Sequence, residues 1–169
     1  MNFEAALDFA RGKHRGQYRK QGADYIVHPI RVTELLKAKG ISRMELLIAG
    51  LFHDLLEDTD TREEEIVAYG NDLVLRIVKD LTKVKDENFS MEAYIGNIRR
   101  HEDSTLVKLA DRISNLEDSF GLKDRAFLNR YIGDTEDYFV DLAQDTVFEE
   151  DLDRVLAELK AYTEGISSE

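Results

Sequence analysis

The stretch Ser42-Arg43-Met44-Glu45-Leu46-Leu47-Ile48-Ala49-Gly50-Leu51-Phe52-His53-Asp54-Leu55-Leu56-Glu57-Asp58 decides how this chain folds. Met44, Leu47, Ile48, Leu51 and Leu55 recur at spacings of three and four, the pattern of a helix face turned to a core. That spacing predicts a helix over 42–56. The other arc carries Gly50, His53, Asp54 and Glu57, so a core helix ends in one imidazole and three carboxylates within six residues. On a continuous helix, His53 and Glu57 stack one turn apart, as do Asp54 and Asp58. Such a group is costly to hold near a core unless a cation or a substrate organises it. The stretch is therefore the leading candidate for an active site.

Outward from it, the same periodicity predicts helices over 2–17, 28–39, 61–69, 72–81, 90–100, 103–119, 124–142 and 149–163. Pro29 suits the first position of the second helix, where its missing N–H costs little, and Gly40 is a plausible stop. Only one proline and ten glycines occur among 169 residues, a balance that favours helices over a turn-rich β architecture. The expected fold class is all-α. No proline-rich, serine-rich or repeated segment separates two units, so a single domain over 1–169 is expected.

Thirty-five acidic residues face 23 basic ones, giving a net charge of −12. The averaged field repels nucleic-acid polymers and anionic membrane surfaces, while a small anion can still bind at a local basic patch. Lys13, His14, Arg15, Arg19 and Lys20 form such a patch. No apolar run approaches the ~20 residues that span a bilayer, and Met1-Asn2-Phe3-Glu4 lacks the layout of a signal peptide. A cytoplasmic protein without membrane contact is expected; the oligomeric state is left open. With no cysteine, a metal must be bound by His, Asp and Glu.

His28 sits between Ile26-Val27 and Ile30, a setting in which a structural histidine is the ordinary reading. Asp111, between Ala110 and Arg112, reads equally as a fourth ligand or as a salt-bridge partner, with Asn115 one turn further along the same helix. Taken together, His28, His53, Asp54 and Asp111 offer two nitrogens and two carboxylates to one divalent ion. That mixed set suits manganese, iron or zinc better than calcium or magnesium and does not choose among the three. His14 and His101 stay outside the set, with surface or structural roles expected.

In this order and spacing, the residues resemble the HD-domain metal phosphohydrolases, whose metal site runs His…His-Asp…Asp. The segments His14-Arg15-Gly16-Gln17-Tyr18-Arg19-Lys20, Tyr25-Ile26-Val27-His28-Pro29, Leu51 to Thr59, Leu81-Thr82-Lys83 and Val107 to Leu116 narrow the match. They resemble the alarmone hydrolase domain of RelA/SpoT proteins over about residues 1–145. The resemblance implies a compact helical HD domain with a manganese ion held by His28, His53, Asp54 and Asp111. It assigns Glu57 and Asp58 to the attacking water, and Arg19, Lys20 and Asn115 to the substrate. The implied reaction removes pyrophosphate from the ribose 3′ position of ppGpp or pppGpp, giving GDP or GTP. A nucleotide-synthesising domain has no room within 169 residues, so a stand-alone small hydrolase is expected.

Two departures bear on the substrate. Glu117-Asp118 follows Asn115-Leu116 where the family often carries a basic residue, and Asp24 stands where proline commonly precedes the Tyr-Ile pair. They leave open an HD-type nucleotidase acting on another nucleotide, including adenosine alarmones. The non-enzymatic alternative is a nucleotide-sensing module that keeps the architecture without turnover. Glu57 and Asp58 argue against it, because binding alone needs no water-activating set.

Overall fold

The computed structural model describes residues 1–84 and 86–166, and among them the regular structure is helical. In chain order the helices are α1 (Phe3–Lys13), α2 (Val27–Ala38), α3 (Met44–Phe52), α4 (Leu55–Asp58), α5 (Glu63–Tyr69) and α6 (Asp72–Leu81). They continue with α7 (Met91–Ile98), α8 (Glu102–Glu117), α9 (Arg125–Asp134), a π-helical turn (Thr135–Phe139), α10 (Val140–Ala143) and α11 (Glu149–Glu164). Short polar side chains start several of them. Asn2, Asn71, Ser90 and Asp124 each accept from a backbone N–H of the first turn, satisfying a donor the helix leaves unpaired. No helix among the described residues is long and apolar enough to cross a membrane.

α2, α3 and α8 form the centre, each packed on the other two, with α1 and α6 closing over α3 and α11 lying against α8 and α9. α3 is buried from Leu46 to Phe52, so the core surrounds it instead of meeting one stripe. Gly50 permits this. A Cβ built there would lie 3.2 Å from Thr33 Oγ1 and 3.3 Å from Leu36 Cδ1 on α2.

Three helices differ from the sequence pattern. α1 stops at Lys13, because His14 to Gln17 turn through Gly16, whose φ of +81° is open to glycine. The helix expected over 42–56 breaks after Phe52 and resumes as α4, so His53 and Asp54 occupy the turn between them, with the Asp54 carbonyl still accepting from the Asp58 N–H at 2.9 Å. The expected 124–142 helix widens to a π-turn, where the Val140 N–H reaches back five residues to the Thr135 carbonyl. Pro29 falls third in α2, not first, still within the turn whose N–H groups lack helical partners.

Because α2 and α3 meet at Gly50 without room for a side chain, Gly50→Val is expected to destabilise the fold by about 1–3 kcal/mol. Urea denaturation checks this; unchanged stability would mean that the two helices separate freely.

Candidate metal centre and cavity

The break after Phe52 has a local cause. In an uninterrupted helix the Gly50 carbonyl would accept from the Asp54 N–H; here it accepts from His53 Nδ1 at 2.8 Å. A carbonyl only accepts, so that bond fixes the proton on Nδ1 and leaves Nε2 as the inward-facing nitrogen. His28, in the first turn of α2, is held on its other side by Ser114 Oγ of α8 at 2.9 Å.

The two Nε2 atoms lie 3.1 Å apart. Asp54 Oδ2 is 2.9 Å from that of His53 and 3.7 Å from that of His28. Asp111 Oδ1, from α8, is 3.1 Å from His28 and 3.5 Å from His53. Donor atoms of His28, His53 and Asp54 fall within 4.8 Å of one another, and the Asp111 oxygen adjoins them. Lone pairs brought this close repel unless a proton or cation sits among them, and nitrogen with carboxylate oxygen is a donor set that fits a divalent ion.

Charge follows the same logic. Burial opposes charge on His53, but the Asp54 and Asp111 carboxylates outweigh it and push the imidazole up to about 10. Burial pulls His28 down, with Asp111 only partly offsetting it. For Asp111, burial is outweighed by Lys108, whose Nζ is 2.7 Å from Oδ2, and the carboxyl falls well below its usual range. Asp54 falls too, as His53 outweighs burial. Tyr25 donates its hydroxyl to Asp54 Oδ2, and burial raises its own pKa.

Above the cluster opens a cavity of about 390 Å³, within the range of small-molecule sites. Asp54 and Asp111 form part of its floor, and Glu57, Arg19, Lys20 and Asn115 lie on its wall. Glu57 Oε2 accepts from the Lys83 backbone N–H at 2.9 Å. Asp58 is exposed and does not line the cavity; its carbonyl accepts from Gln17 Nε2 at 2.8 Å. Asn115 links two parts of the site, donating to Asp111 Oδ1 at 2.7 Å and accepting from Arg19 Nη2 at 2.6 Å. Arg19 also pairs with Asp118 at 2.7 Å, and Lys20 Nζ stands 3.2 Å from the Phe127 ring centroid.

The basic segment read at 13–20 is divided. Lys13 binds Asp60 at 3.0 Å outside the cavity, and His14 is buried with Nδ1 2.7 Å from Gln17 Oε1. His101 pairs with Asp80 at 2.9 Å. Glu117 is held away from the cavity by a two-pronged bond to Arg31, 2.8 Å at each oxygen. Pattern reading passed over Gly50 and Ser114 as supports for the two rings. Each lies three residues from a candidate ligand on its own helix, the one signal that points to them.

An all-helical domain that converges paired histidines and aspartates beneath a cationic cavity defines the HD class. The chain belongs to the HD-domain family, whose model matches residues 6–144. Over 121 residues it is 38% identical to the guanosine-3′,5′-bis(diphosphate) 3′-pyrophosphohydrolase of Aquifex aeolicus, covering 68% of this chain and 17% of that protein. Over 120 residues it is 39% identical to the Mus musculus pyrophosphohydrolase MESH1, covering 67% of this chain and 66% of MESH1. The chain thus spans less than a fifth of the bacterial relative. A solved metazoan SpoT orthologue, described as hydrolysing ppGpp, superposes with a TM-score of 0.78 at 27% identity, covering 98% of this chain and 96% of that one.

The folded chain holds a proton on His53 that the unfolded chain releases between its ordinary value of 6.5 and about 10. Stability from this group is full below about pH 6.5 and lost as the pH rises toward about 10. In chelator, the melting temperature is expected to fall across that window, and His53→Gln to flatten the fall. Equal slopes in the two proteins would place the proton elsewhere.

Proposed function

We propose that this domain, taken as one unit over 1–169, hydrolyses the 3′-pyrophosphate of guanosine alarmones, converting ppGpp or pppGpp to GDP or GTP and pyrophosphate. The observation that carries the reading is the four-residue donor cluster on the floor of a cavity walled by cations and one free-edged carboxylate, Glu57. The similarity to ppGpp hydrolases supplies the substrate class.

In this reading His28, His53, Asp54 and Asp111 hold the ion; the mixed nitrogen and oxygen set fits manganese, iron or zinc, and the resemblance to the RelA/SpoT hydrolases selects manganese. When bound, the ion polarises a phosphoryl oxygen and lowers the pKa of its water. Glu57 accepts the water's proton, with its second oxygen held by the Lys83 N–H so that the carboxylate keeps one orientation. The resemblance assigns Asp58 to the water as well; its exposed side chain stands outside the cavity lining, so Glu57 is the principal base in this reading. Arg19 and Lys20 take the nucleotide end, the Arg19 guanidinium lying 5.3 Å over the Tyr25 ring and the Lys20 ammonium over Phe127. Asn115 keeps Asp111 and Arg19 in register. The domain acts on a small nucleotide in the cytoplasm, with neither nucleic acid nor membrane as partner.

Asp118 favours a second reading. Its carboxylate lines the cavity and neutralises Arg19, weakening the field for a highly phosphorylated nucleotide. An HD-type nucleotidase, or a hydrolase of adenosine alarmones, fits that weaker field.

With manganese present, purified protein is expected to release pyrophosphate from ppGpp, followed by chromatography of the products. His53→Ala or Asp54→Ala is expected to lower the rate by about a hundredfold or more, and Glu57→Gln by about 10²–10⁴. Loss of ppGpp turnover with hydrolysis of a deoxynucleoside monophosphate would move the reading to a nucleotidase. Tight ppGpp binding without product would move it to a sensor.

A further inference from the structure

Arg112 is a cation that neither the metal cluster nor the nucleotide contacts account for. It is buried at 5% exposure on α8, one residue past Asp111. Its guanidinium carbon lies 4.2 Å from the Tyr131 ring centroid and 3.8 Å from that of Phe139, so two aromatic rings hold it. Among the described residues its hydrogen-bond partner is Thr135, Nη1 to Oγ1, a long one at 3.4 Å. Thr135 and Phe139 begin and end the π-turn, so the widened backbone brings both to this one side chain. Widened turns of this kind recur at functional sites.

A buried charge normally takes a carboxylate partner, and among the described residues Arg112 has none within ion-pair distance. The adjacent Asp111 is instead paired with Lys108 at 2.7 Å. Nor are the remaining guanidinium N–H groups sealed without partners; among the described residues, His14 Nε2 is the fully buried side-chain atom in that condition. Arg112 also lines the cavity. A planar, permanently charged fork with its orientation set by two rings and its edge unpaired matches the geometry of a phosphoryl anion. Lys83, whose side chain also has no carboxylate partner among the described residues, lines the same wall.

We infer that Arg112, clamped by Tyr131, Phe139 and Thr135, is a metal-independent binding point for a phosphoryl or pyrophosphoryl anion at the inner end of the cavity. The inference rests on the proposed hydrolase reading only for the identity of the anion. The arrangement gives the substrate two anchors, the donor cluster on one side and a fixed fork on the other. The distance between them, not the metal alone, then selects which phosphoryl group reaches the cluster.

The test uses the full chain in chelator, with sodium pyrophosphate as the probe, so that no metal carries the anion to the site. In nuclear magnetic resonance, the Arg112 Nε–Hε signal is assigned by its contacts to the Tyr131 and Phe139 ring protons and followed through the titration. A saturable shift of that signal is expected. Arg112→Lys, which keeps the charge and loses the fork, and Arg112→Met are each expected to weaken pyrophosphate binding by about ten- to a hundredfold. Thermal melting establishes that each variant is folded; if either unfolds, the wild-type signal decides alone. An Nε–Hε signal unmoved at saturation, or equal affinity in folded Arg112→Lys, would leave Arg112 a structural clamp and overturn the inference. Pyrophosphate bound through Arg112 in a protein that leaves ppGpp intact would sink the proposed reaction and keep the subsite. Turnover of ppGpp with a silent Arg112 would do the reverse.

Discussion

One bond, from the His53 ring to the Gly50 carbonyl at 2.8 Å, organises the centre of this molecule. It takes the acceptor that would have extended α3, so the helix ends at Phe52 and the chain turns just where its most polar residues begin. It also fixes which ring nitrogen faces inward. Gly50 serves twice: its missing side chain lets α3 lie against α2, and α2 carries the second histidine. Close packing and ligand placement therefore share one residue. A substitution there disturbs both, even though glycine touches no substrate.

The four donor groups come from three separately packed places: α2, the turn after α3, and α8. Those are the helices of the innermost layer. Placing ionisable groups there is unfavourable for folding, because two carboxylates and two imidazoles lose water together. The chain compensates locally. Lys108 faces one oxygen of Asp111 and Asn115 the other, while Tyr25 and His53 face Asp54. Lys108 and Asn115 for Asp111, and Tyr25 for Asp54, orient the carboxylates without being donors to the cluster themselves, the support that keeps a ligand set in place.

The sequence pattern carries the helices and the candidate ligands well, since both depend on short-range spacing. It hides the break at His53, because Leu55, Leu56 and Glu57 continue the apolar and polar alternation of a longer helix. What ends that helix is the His53 ring turning back onto the Gly50 carbonyl, a side-chain bond that apolar spacing does not encode. The π-turn is hidden for a similar reason: nothing in Thr135 to Phe139 forbids an ordinary helix. The fates of Glu117 and Asp118 were equally illegible. Read in line they place two negative charges beside the site, whereas in three dimensions Arg31 removes Glu117 and Arg19 meets Asp118, partners 86 and 99 residues distant.

That pairing explains how a chain of net charge −12 can present a cationic wall. Surface cations such as Lys13 and Arg31 are spent on nearby acids, and Arg19 is half neutralised at the cavity's outer end. Positive charge without a carboxylate partner among the described residues is left on Lys83 and Arg112, which line the same cavity. The potential along this cavity is therefore set by local pairing and not by the net charge of the chain. Repulsion from the acidic surface falls off within about a Debye length. Inside that distance the size of the cavity and the local pairing of its acids and bases, not the net charge of the chain, set what a ligand meets.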